Sequence, residues 1–419
     1  MNVYGIIILV TMLLDYVVHL VADIVNLRAL RPELPVAFQG VYDAEVYRRS
    51  QAYTRAQTQF AWVSSSCLFG VTLLFWFTGG FQLLDQEVRS WQWGPIATGL
   101  AYIGLLMLGR MLLSVPFRVY ATFVIEERFG FNRTTPLTFV KDMGKGLALA
   151  VILGGPLLAG VLAFLQSAGP YAWVYCWIAT VLVMLGVQFV APTWIMPLFN
   201  TFQPLEPGPL REALLAYARG VDFPLQDVYV MDGSRRSSKS NAFFAGFGKH
   251  KRVALFDTLI AQLTPPELVA VLAHEIGHYK KKHIVQGLLL SITHMGVMFL
   301  LLSFFLSHQG LFQAFYVEQP SIYAGVVFFT LLYTPCTLLL SIGMQVFSRR
   351  HEYEADRYAV ETFGQPEAMA QALQKLSVQN LSNLTPHPFY VFLHYSHPPV
   401  LARIQAIRHT ATRLVPKAV

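Results

Sequence analysis

The feature that most restricts the fold of this chain is a series of long apolar stretches. Each is close to the roughly 20 residues that an α-helix needs to cross a bilayer core. Hydrophobic residues make up 54% of the sequence and charged residues only 13%, whereas soluble domains carry about a quarter charged residues. The sequence therefore predicts a multi-pass membrane protein that is mainly α-helical. The predicted spans are 4–27, 60–81, 95–119, 146–165, 171–198, 284–306 and 323–347.

The distribution of positive charge predicts how these spans are oriented. The net charge of +7 could indicate a nucleic-acid partner, but the basic residues fall in loops beside the apolar spans. The positive-inside rule explains them more simply, so nucleic-acid binding is set aside. Basic residues concentrate in every second loop and in the C-terminal tail. This alternation predicts about seven spans, with the N-terminus outside and the C-terminus in the cytosol.

A short motif in the long polar region between the fifth and sixth spans carries the chemistry. His274, Glu275 and His278 read H-E-x-x-H. On a helix, residues i and i+4 lie on one face, so the two imidazoles can bind one zinc ion. Glu275 can act as the general base that takes a proton from the attacking water. The motif therefore predicts the active site of a zinc hydrolase.

The residues before this motif predict the helix that carries it. Thr264 is a candidate N-cap, Pro265 suits the first helical position and Glu267 stands at the third. Two histidines leave zinc short of a protein ligand. The cap residues therefore predict the helix, and the motif on it predicts where the metal is bound. A third ligand has to come from elsewhere in the chain.

The segment after the seventh span offers that third ligand. Glu352 and Asp356 are spaced i and i+4, so Glu352 can complete a gluzincin-like His₂Glu site while Asp356 orients a ligand. Two spans separate this segment from the first motif, which returns it to the same side of the membrane. His351 is a weaker ligand candidate, and Glu354 points elsewhere on the helix. The alternative is a solvated amphipathic helix whose carboxylates pair with neighbouring arginines.

A polar stripe runs along the first span. Asp15, His19 and Asp23 are spaced i, i+4 and i+8 on an otherwise apolar helix. Ionisable groups within a membrane are costly, so the stripe is expected to face a wet cavity or other helices. Pairing with neighbouring helices is favoured over a direct catalytic role.

Several segments together resemble the type I CAAX prenyl proteases, which are integral-membrane zinc metalloproteases. The H-E-x-x-H and E-x-x-A-D elements match 274–278 and 352–356, and the H-P-P-x-x-x-R-I element matches His397 to Ile404. H-E-x-x-H alone is shared by many metalloproteases, whereas the combined set is highly specific. Further matching segments are 50–53, 123–135, 197–200, 240–244 and 256–259.

The resemblance implies a fold and further site residues. It implies seven transmembrane helices that enclose a large wet chamber, with the protease site at the cytosolic end. It assigns His397 and Arg403 to the neighbourhood of the active site, where they hold the developing oxyanion or position Asp356. It also implies that Asn241 and Ala242 lie alongside the substrate backbone, as an edge strand would.

The resemblance also implies the cofactor, the substrate and the membrane. We expect one Zn²⁺ per chain, a monomer in the bilayer, and a peptide or protein substrate that is prenylated at a C-terminal C-a-a-X motif. Two other functions stay open, namely a membrane-protein quality-control protease of the heat-shock type and a transporter or channel. Arginine outnumbers lysine, which fits a bacterial chain in the inner membrane, and a eukaryotic chain would lie in the endoplasmic reticulum membrane.

The chain is accordingly predicted to have four parts. Residues 1–198 contain spans one to five with a cytosolic loop, and 199–283 form a metalloprotease region. Residues 284–347 contain spans six and seven, and 348–419 form a mainly helical region with the third zinc ligand. The segments 28–59 and 123–135 are predicted as loops. A small β-sheet is predicted from strands at 228–231 and 252–256, after a helix at 210–220.

Overall fold

The computed structural model describes residues 1–245 and 251–414, and most of these residues are helical. Helices of the first half are α1 (Val3–Arg28), α2 (Ala44–Phe77), α3 (Gly80–Ser90), α4 (Pro95–Tyr120), α5 (Pro136–Leu149), α6 (Gly155–Ser167), α7 (Ala172–Val190) and α8 (Met196–Phe199). Helices of the second half are α9 (Pro209–Gly220), α10 (Asp257–Gln262), α11 (Pro265–Lys280), α12 (His283–Phe305), α13 (Gln309–Gln313), α14 (Ile322–Leu332), α15 (Thr334–Phe363), α16 (Pro366–Gln379), α17 (Pro388–His394) and α18 (Val400–Leu414). The strands are β1 (Phe202–Pro204), β2 (Leu225–Met231), β3 (Ala242–Ala245) and β4 (Lys251–Phe256).

The apolar helices confirm a multi-pass membrane protein. Among the described residues, 6 helices are long and apolar enough to cross a membrane, and a bent pair brings the number to 7. Short π-helical segments extend α4, join α5 to α6 and join α7 to α8, so that these spans are 31 or 32 residues long. The tight hairpin predicted between the fourth and fifth spans is present, because α6 ends at Ser167 and α7 begins at Ala172.

The seventh span differs from the single straight helix expected over 323–347. It consists of α14 and α15, which meet at an angle of 54°. Pro335 stands in the first turn of α15, where its ring and its missing N–H prevent the preceding helix from continuing. Beyond the bend, α15 runs without a break to Phe363 and carries Glu352 out of the apolar layer.

The two predicted loops are partly wrong. Helix α2 begins at Ala44, capped by Asp43, whose Oδ1 accepts a hydrogen bond from the Glu45 backbone N–H at 2.7 Å. Hydropathy detects only the apolar end of this helix, because its polar first half extends beyond the bilayer. The segment 123–135 begins as helix rather than loop, but its predicted turn into an N-cap is present at Thr135, whose side chain accepts from the Thr138 N–H.

The polar region folds around a four-stranded sheet in the order β1-β2-β4-β3. The central pair β2–β4 is parallel, and both outer pairs are antiparallel. The two predicted strands and the helix near 210–220 are confirmed. Leucine and valine side chains from α9, β2, β4 and α11 form one buried core, so α11 is fixed against the sheet. Strand β3 stands at one end of the strand order, beside α11.

The helix that carries the H-E-x-x-H motif begins as predicted. Thr264 and Glu267 form a capping box, with Pro265 in the first turn. The backbone N–H of Thr264 donates to Oε2 of Glu267 at 2.7 Å. Lys375 of α16 lies 2.8 Å from the same buried carboxylate. The start of α11 is therefore tied to the C-terminal helices as well as to the sheet.

Gly277 allows α11 to approach α15 closely. A Cβ at this position would lie 3.0 Å from Cα and 3.1 Å from the carbonyl oxygen of Ala355. Both are backbone atoms, which cannot rotate away. The motif and the third-ligand segment therefore lie side by side only because position 277 has no side chain.

We expect Gly277→Ala to lower the free energy of unfolding by about 1–3 kcal/mol, the usual cost of overpacking a close contact. The matched control is Gly343→Ala in α15, where a Cβ would meet nothing within 4 Å. That change should be neutral or stabilising by about 0.5–1 kcal/mol, because alanine favours a helix over glycine. Thermal unfolding of the purified proteins in detergent measures both. Equal stability of the two variants would contradict the close contact.

Candidate active site

Three predicted ligands from two distant segments converge in the structure. Nε2 of His274 and Nε2 of His278 lie 3.1 Å apart. Oε1 of Glu352 lies 3.2 Å from His278 Nε2, and Oε2 lies 3.4 Å from His274 Nε2. The three side chains offer ligand atoms that all lie within 4.8 Å of one another. The expected return of the chain to the same side is therefore present in the fold.

These donor atoms suit a tetrahedral metal ion. Two ligands bound at about 2.0–2.1 Å in tetrahedral geometry stand about 3.3 Å apart, close to the spacing observed here. Oε2 of Glu352 is buried and makes no well-directed hydrogen bond, although Nη1 of Arg403 lies 3.1 Å away. Two imidazole nitrogens and a carboxylate oxygen directed at one point form a donor set that zinc prefers.

Asp356 holds the first histidine in place. Its Oδ1 lies 2.9 Å from Nδ1 of His274, which leaves Nε2 directed toward Glu352. Although burial opposes the charged form, the hydrogen bonds to Asp356 and Glu352 raise the pKa of His274 to about 9. The carboxylates therefore favour positive charge at this position, whether a proton or a metal ion carries it.

Arg403 links the two carboxylates of α15. Its Nε and Nη2 donate to Asp356 at 2.8 and 2.7 Å, and its Nη1 lies 3.1 Å from Glu352. The guanidinium is buried, which by itself disfavours the charge, but the neighbouring carboxylates raise its pKa. The resemblance left two roles for this residue, and these contacts favour the positioning of Asp356.

Glu275 stands between the two histidines in sequence, on the same helix. Burial raises the pKa of its carboxyl group, an effect that the nearby histidine charges oppose. A raised pKa brings a carboxyl group closer to the working pH, which favours both the uptake and the return of a proton. Its environment therefore suits a general base that becomes a general acid.

His397 lies at the open side of the site. Its Nε2 is 3.4 Å from Oε1 of Glu352, its side chain is 62% exposed, and its Nδ1 lies 2.8 Å from Oγ of Ser396. With Arg403 it lines a cavity of about 480 Å³ that extends to Asn380 and Asn383. A second cavity of about 440 Å³ shares Asn380 and Asn383 and continues the space toward α1 and α2.

The predicted substrate-binding segment lies at the start of β3. Asn241 is exposed and immediately precedes the strand, and Ala242 pairs with Leu255 of β4. The preceding residue is fixed from two sides, since the Ser240 N–H donates to Oδ1 of Asn380 at 3.2 Å and its Oγ to Gln262 at 2.7 Å. Residues 246–250, which follow β3, lie outside the described part of the chain.

The polar stripe of α1 makes contacts with other helices. Nδ1 of His19 lies 3.4 Å from Nε2 of His394 in α17, and Asp15 lies 3.6 Å from Nε2 of His19. Asp23 accepts a hydrogen bond from the Trp62 indole of α2 at 2.9 Å. These contacts agree with the favoured interpretation that the stripe pairs with neighbouring helices.

One residue of the site was missed by the sequence analysis. His283, five residues after the motif, brings its Nδ1 to 3.0 Å from Nδ1 of His278. The available signal was a third histidine shortly after H-E-x-x-H. It was not informative because no spacing rule predicts how the chain turns between α11 and α12. Glu354, which was expected to point elsewhere on its helix than Glu352, contacts His283 and not the metal position.

This chain is similar to known proteins over most of its length. One family model, described as "CAAX prenyl protease N-terminal, five membrane helices", matches residues 23–201, and another, described as "Peptidase family M48", matches residues 204–411. The CAAX prenyl protease 1 homolog of Oryza sativa subsp. japonica is 36% identical, over 94% of this chain and 95% of that protein. CAAX prenyl protease 1 of Saccharomyces cerevisiae is 34% identical, over 91% and 90%. The crystal structure of S. mikatae Ste24p has a TM-score of 0.92 at 31% identity, covering 97% of this chain and 99% of that one.

We expect Glu352→Ala to weaken metal binding by at least about 10–100-fold, because it removes one of three donor side chains. The protein should still insert and fold, since the apolar spans do not depend on this carboxylate. Metal analysis after dialysis checks this. Glu361→Ala, at an exposed position of the same helix, is the matched control and should keep its metal. Full occupancy in folded Glu352→Ala protein would mean that another residue is the third ligand.

Proposed function

This chain belongs to peptidase family M48, and from that premise we propose that it is a zinc endopeptidase acting at the C-terminus of prenylated C-a-a-X proteins. It is a multi-pass membrane metalloendopeptidase with a peptide or protein substrate. The convergence of His274, His278 and Glu352 is the observation that carries the proposal. These three residues hold the metal, which we propose to be zinc, one per chain.

Each residue near the metal has a distinct proposed task. Bound zinc would polarise the scissile carbonyl and acidify the attacking water. Glu275 takes the proton from that water and later delivers it to the leaving amine, which its raised pKa supports. His397, at the exposed edge of the site, donates a hydrogen bond to the developing oxyanion. Arg403 keeps Asp356 in place, and Asp356 orients His274.

The substrate backbone is proposed to lie along β3. Because this strand is at one end of the sheet, an extended peptide can add to it through main-chain hydrogen bonds. Asn241 and Ala242 are at its start, and Asn380 fixes the preceding residue. The cavity beside His397 and Arg403, together with the neighbouring cavity that shares Asn380 and Asn383 with it, offers room for the residues that follow the cleaved bond.

The substrate class rests on the relatives, which are named CAAX prenyl protease 1 or homologues of it. The distribution of positive charge supports an active site on the cytosolic side, where such protein C-termini are found. We propose the endoplasmic reticulum membrane for a eukaryotic chain, the inner membrane for a bacterial one, and a monomer in either.

The second candidate is a quality-control protease that cleaves unfolded membrane proteins with the same site. A quality-control protease would need the metal and Glu275 as much as a C-a-a-X protease does. Only the substrate therefore distinguishes the two functions. A transporter is disfavoured because His19 and Asp23 are engaged in contacts with other helices and Asp15 pairs with His19 within α1. A transporter would also leave the metal site without a purpose.

We expect Glu275→Gln to abolish peptide cleavage while metal stays bound, because the change removes the proton acceptor and leaves the three ligands. General acid–base catalysis contributes about 10²–10⁴-fold, so the rate should fall by at least that amount. Cleavage of a fluorogenic peptide and metal analysis on the same sample measure the two effects. Wild-type activity in Glu275→Gln would refute the assigned role.

We expect a farnesylated C-a-a-X peptide to be cleaved faster than an unfolded membrane protein. Two matched control peptides test the two ends of the motif. One lacks the lipid on its cysteine, and the other has an amide in place of the C-terminal carboxylate. The Glu275→Gln variant controls for contaminating proteases. Product analysis by mass spectrometry gives the rate and the cleaved bond. Preference for the unfolded protein would instead favour the quality-control function.

A further inference from the structure

The two metal-binding histidines need orienting partners, and only the first was expected to have one. A histidine that binds a metal through Nε2 carries its proton on Nδ1, and that N–H requires an acceptor. Asp356 meets this need for His274 at 2.9 Å. The atom facing Nδ1 of His278 is Nδ1 of His283, at 3.0 Å.

Metal binding through Nε2 of His278 would assign the protons of this contact. If Nδ1 of His278 donates, Nδ1 of His283 accepts, so the proton of His283 is on Nε2. That nitrogen lies 3.2 Å from Oε2 of Glu354, which accepts it. Every N–H in the series His278, His283 and Glu354 thereby has an acceptor, and the series ends at a carboxylate.

The backbone between α11 and α12 is shaped to make this contact. Lys282 has φ +60°, a left-handed conformation that is uncommon for residues other than glycine. The Lys281 N–H still bonds to the Gly277 carbonyl at 3.0 Å, so α11 is complete before the chain turns. The turn brings His283 back against His278, which a continuous helix would not do at a spacing of five residues.

The imidazole of His283 is held from both sides. It is 5% exposed, and its ring stacks on that of His351 with centroids 3.8 Å apart and planes inclined by 7°. Nε2 of His351 lies 3.1 Å from Oε1 of Gln286. Glu354 is fixed in turn by Nε of Arg350 at 2.9 Å. These contacts favour the observed orientation of the ring and of the carboxylate.

We propose that His283 and Glu354 are positioning residues that orient His278 and keep its Nε2 available for the metal. Residues i and i+2 of a helix point about 200° apart, so Glu354 cannot reach His278 from the side of α15 that presents Glu352. His283 bridges that gap. The inference rests on the metal site of the proposed function and adds two residues that do not themselves bind the metal.

The test measures how fast zinc leaves the full-length protein in detergent when an excess of a coloured chelator is added. His283→Leu removes the acceptor and should accelerate release about 10–100-fold, the usual effect of losing an orienting partner. His283→Gln keeps one acceptor and one donor and should stay closer to the wild-type rate. The pair Glu354→Leu and Glu354→Gln tests the end of the series in the same way. Cobalt-substituted protein should show altered visible absorption in the leucine variants.

The controls separate this role from a loss of folding. His409→Leu and Glu361→Leu change exposed residues of the same types and should release zinc at the wild-type rate. Thermal unfolding of the metal-free proteins identifies any variant that is misfolded. If His283→Leu does not fold, the rates of zinc release from Glu354→Leu and Glu354→Gln test the proposal. Wild-type release from folded Glu354→Leu or His283→Leu overturns the proposal. Failure of the wild-type protein itself to retain zinc would instead refute the proposed function.

Discussion

The whole site depends on the contact between α11 and α15. These helices come from segments separated by two membrane spans, and the missing side chain of Gly277 lets the backbone of Ala355 lie against α11. The approach places two carboxylates, Glu352 and Asp356, next to two imidazoles in a buried position. Arg403 balances only one of the two negative charges. Buried charge without compensation is costly, so these carboxylates favour positive charge at the point where the ligand atoms converge.

The sequence predicted those parts of the molecule that depend on local rules. Apolar length predicted the spans, and Thr264 with Glu267 predicted the start of α11, because a capping box joins residues three positions apart. Glu352 became a ligand candidate because the zinc lacked a third ligand, the two intervening spans return the chain to the same side, and Glu352 and Asp356 are spaced i and i+4. The bend at Pro335 and the helical start at Ala44 were missed, since hydropathy reports burial in lipid and not where a helix ends. His283 was missed for a related reason, because its contact depends on the φ angle of Lys282, which no motif encodes.

The polar groups inside the membrane connect the apolar bundle to the site. His19 contacts His394 of α17, a helix that leads directly to the loop carrying His397. Asp23 contacts Trp62 and also lines the cavity that joins the one beside Arg403. Ionisable groups that would be costly in lipid are therefore paired with other polar groups, and Asp23 lines a cavity that shares residues with the one at the site.

The unbroken course of α15 limits how this enzyme can be dissected. Helix α15 begins within the apolar layer near Pro335 and continues without a break out of the bilayer. Its second half carries Glu352, Glu354 and Asp356. The segment matched by the M48 description, 204–411, contains two apolar crossings, so its boundaries do not enclose a water-soluble catalytic fragment. A fragment ending at residue 283 would retain both histidines and lose every carboxylate that orients or joins them. The lipid-facing and catalytic portions of this chain are one mechanical unit, and solubilising the enzyme requires detergent rather than truncation.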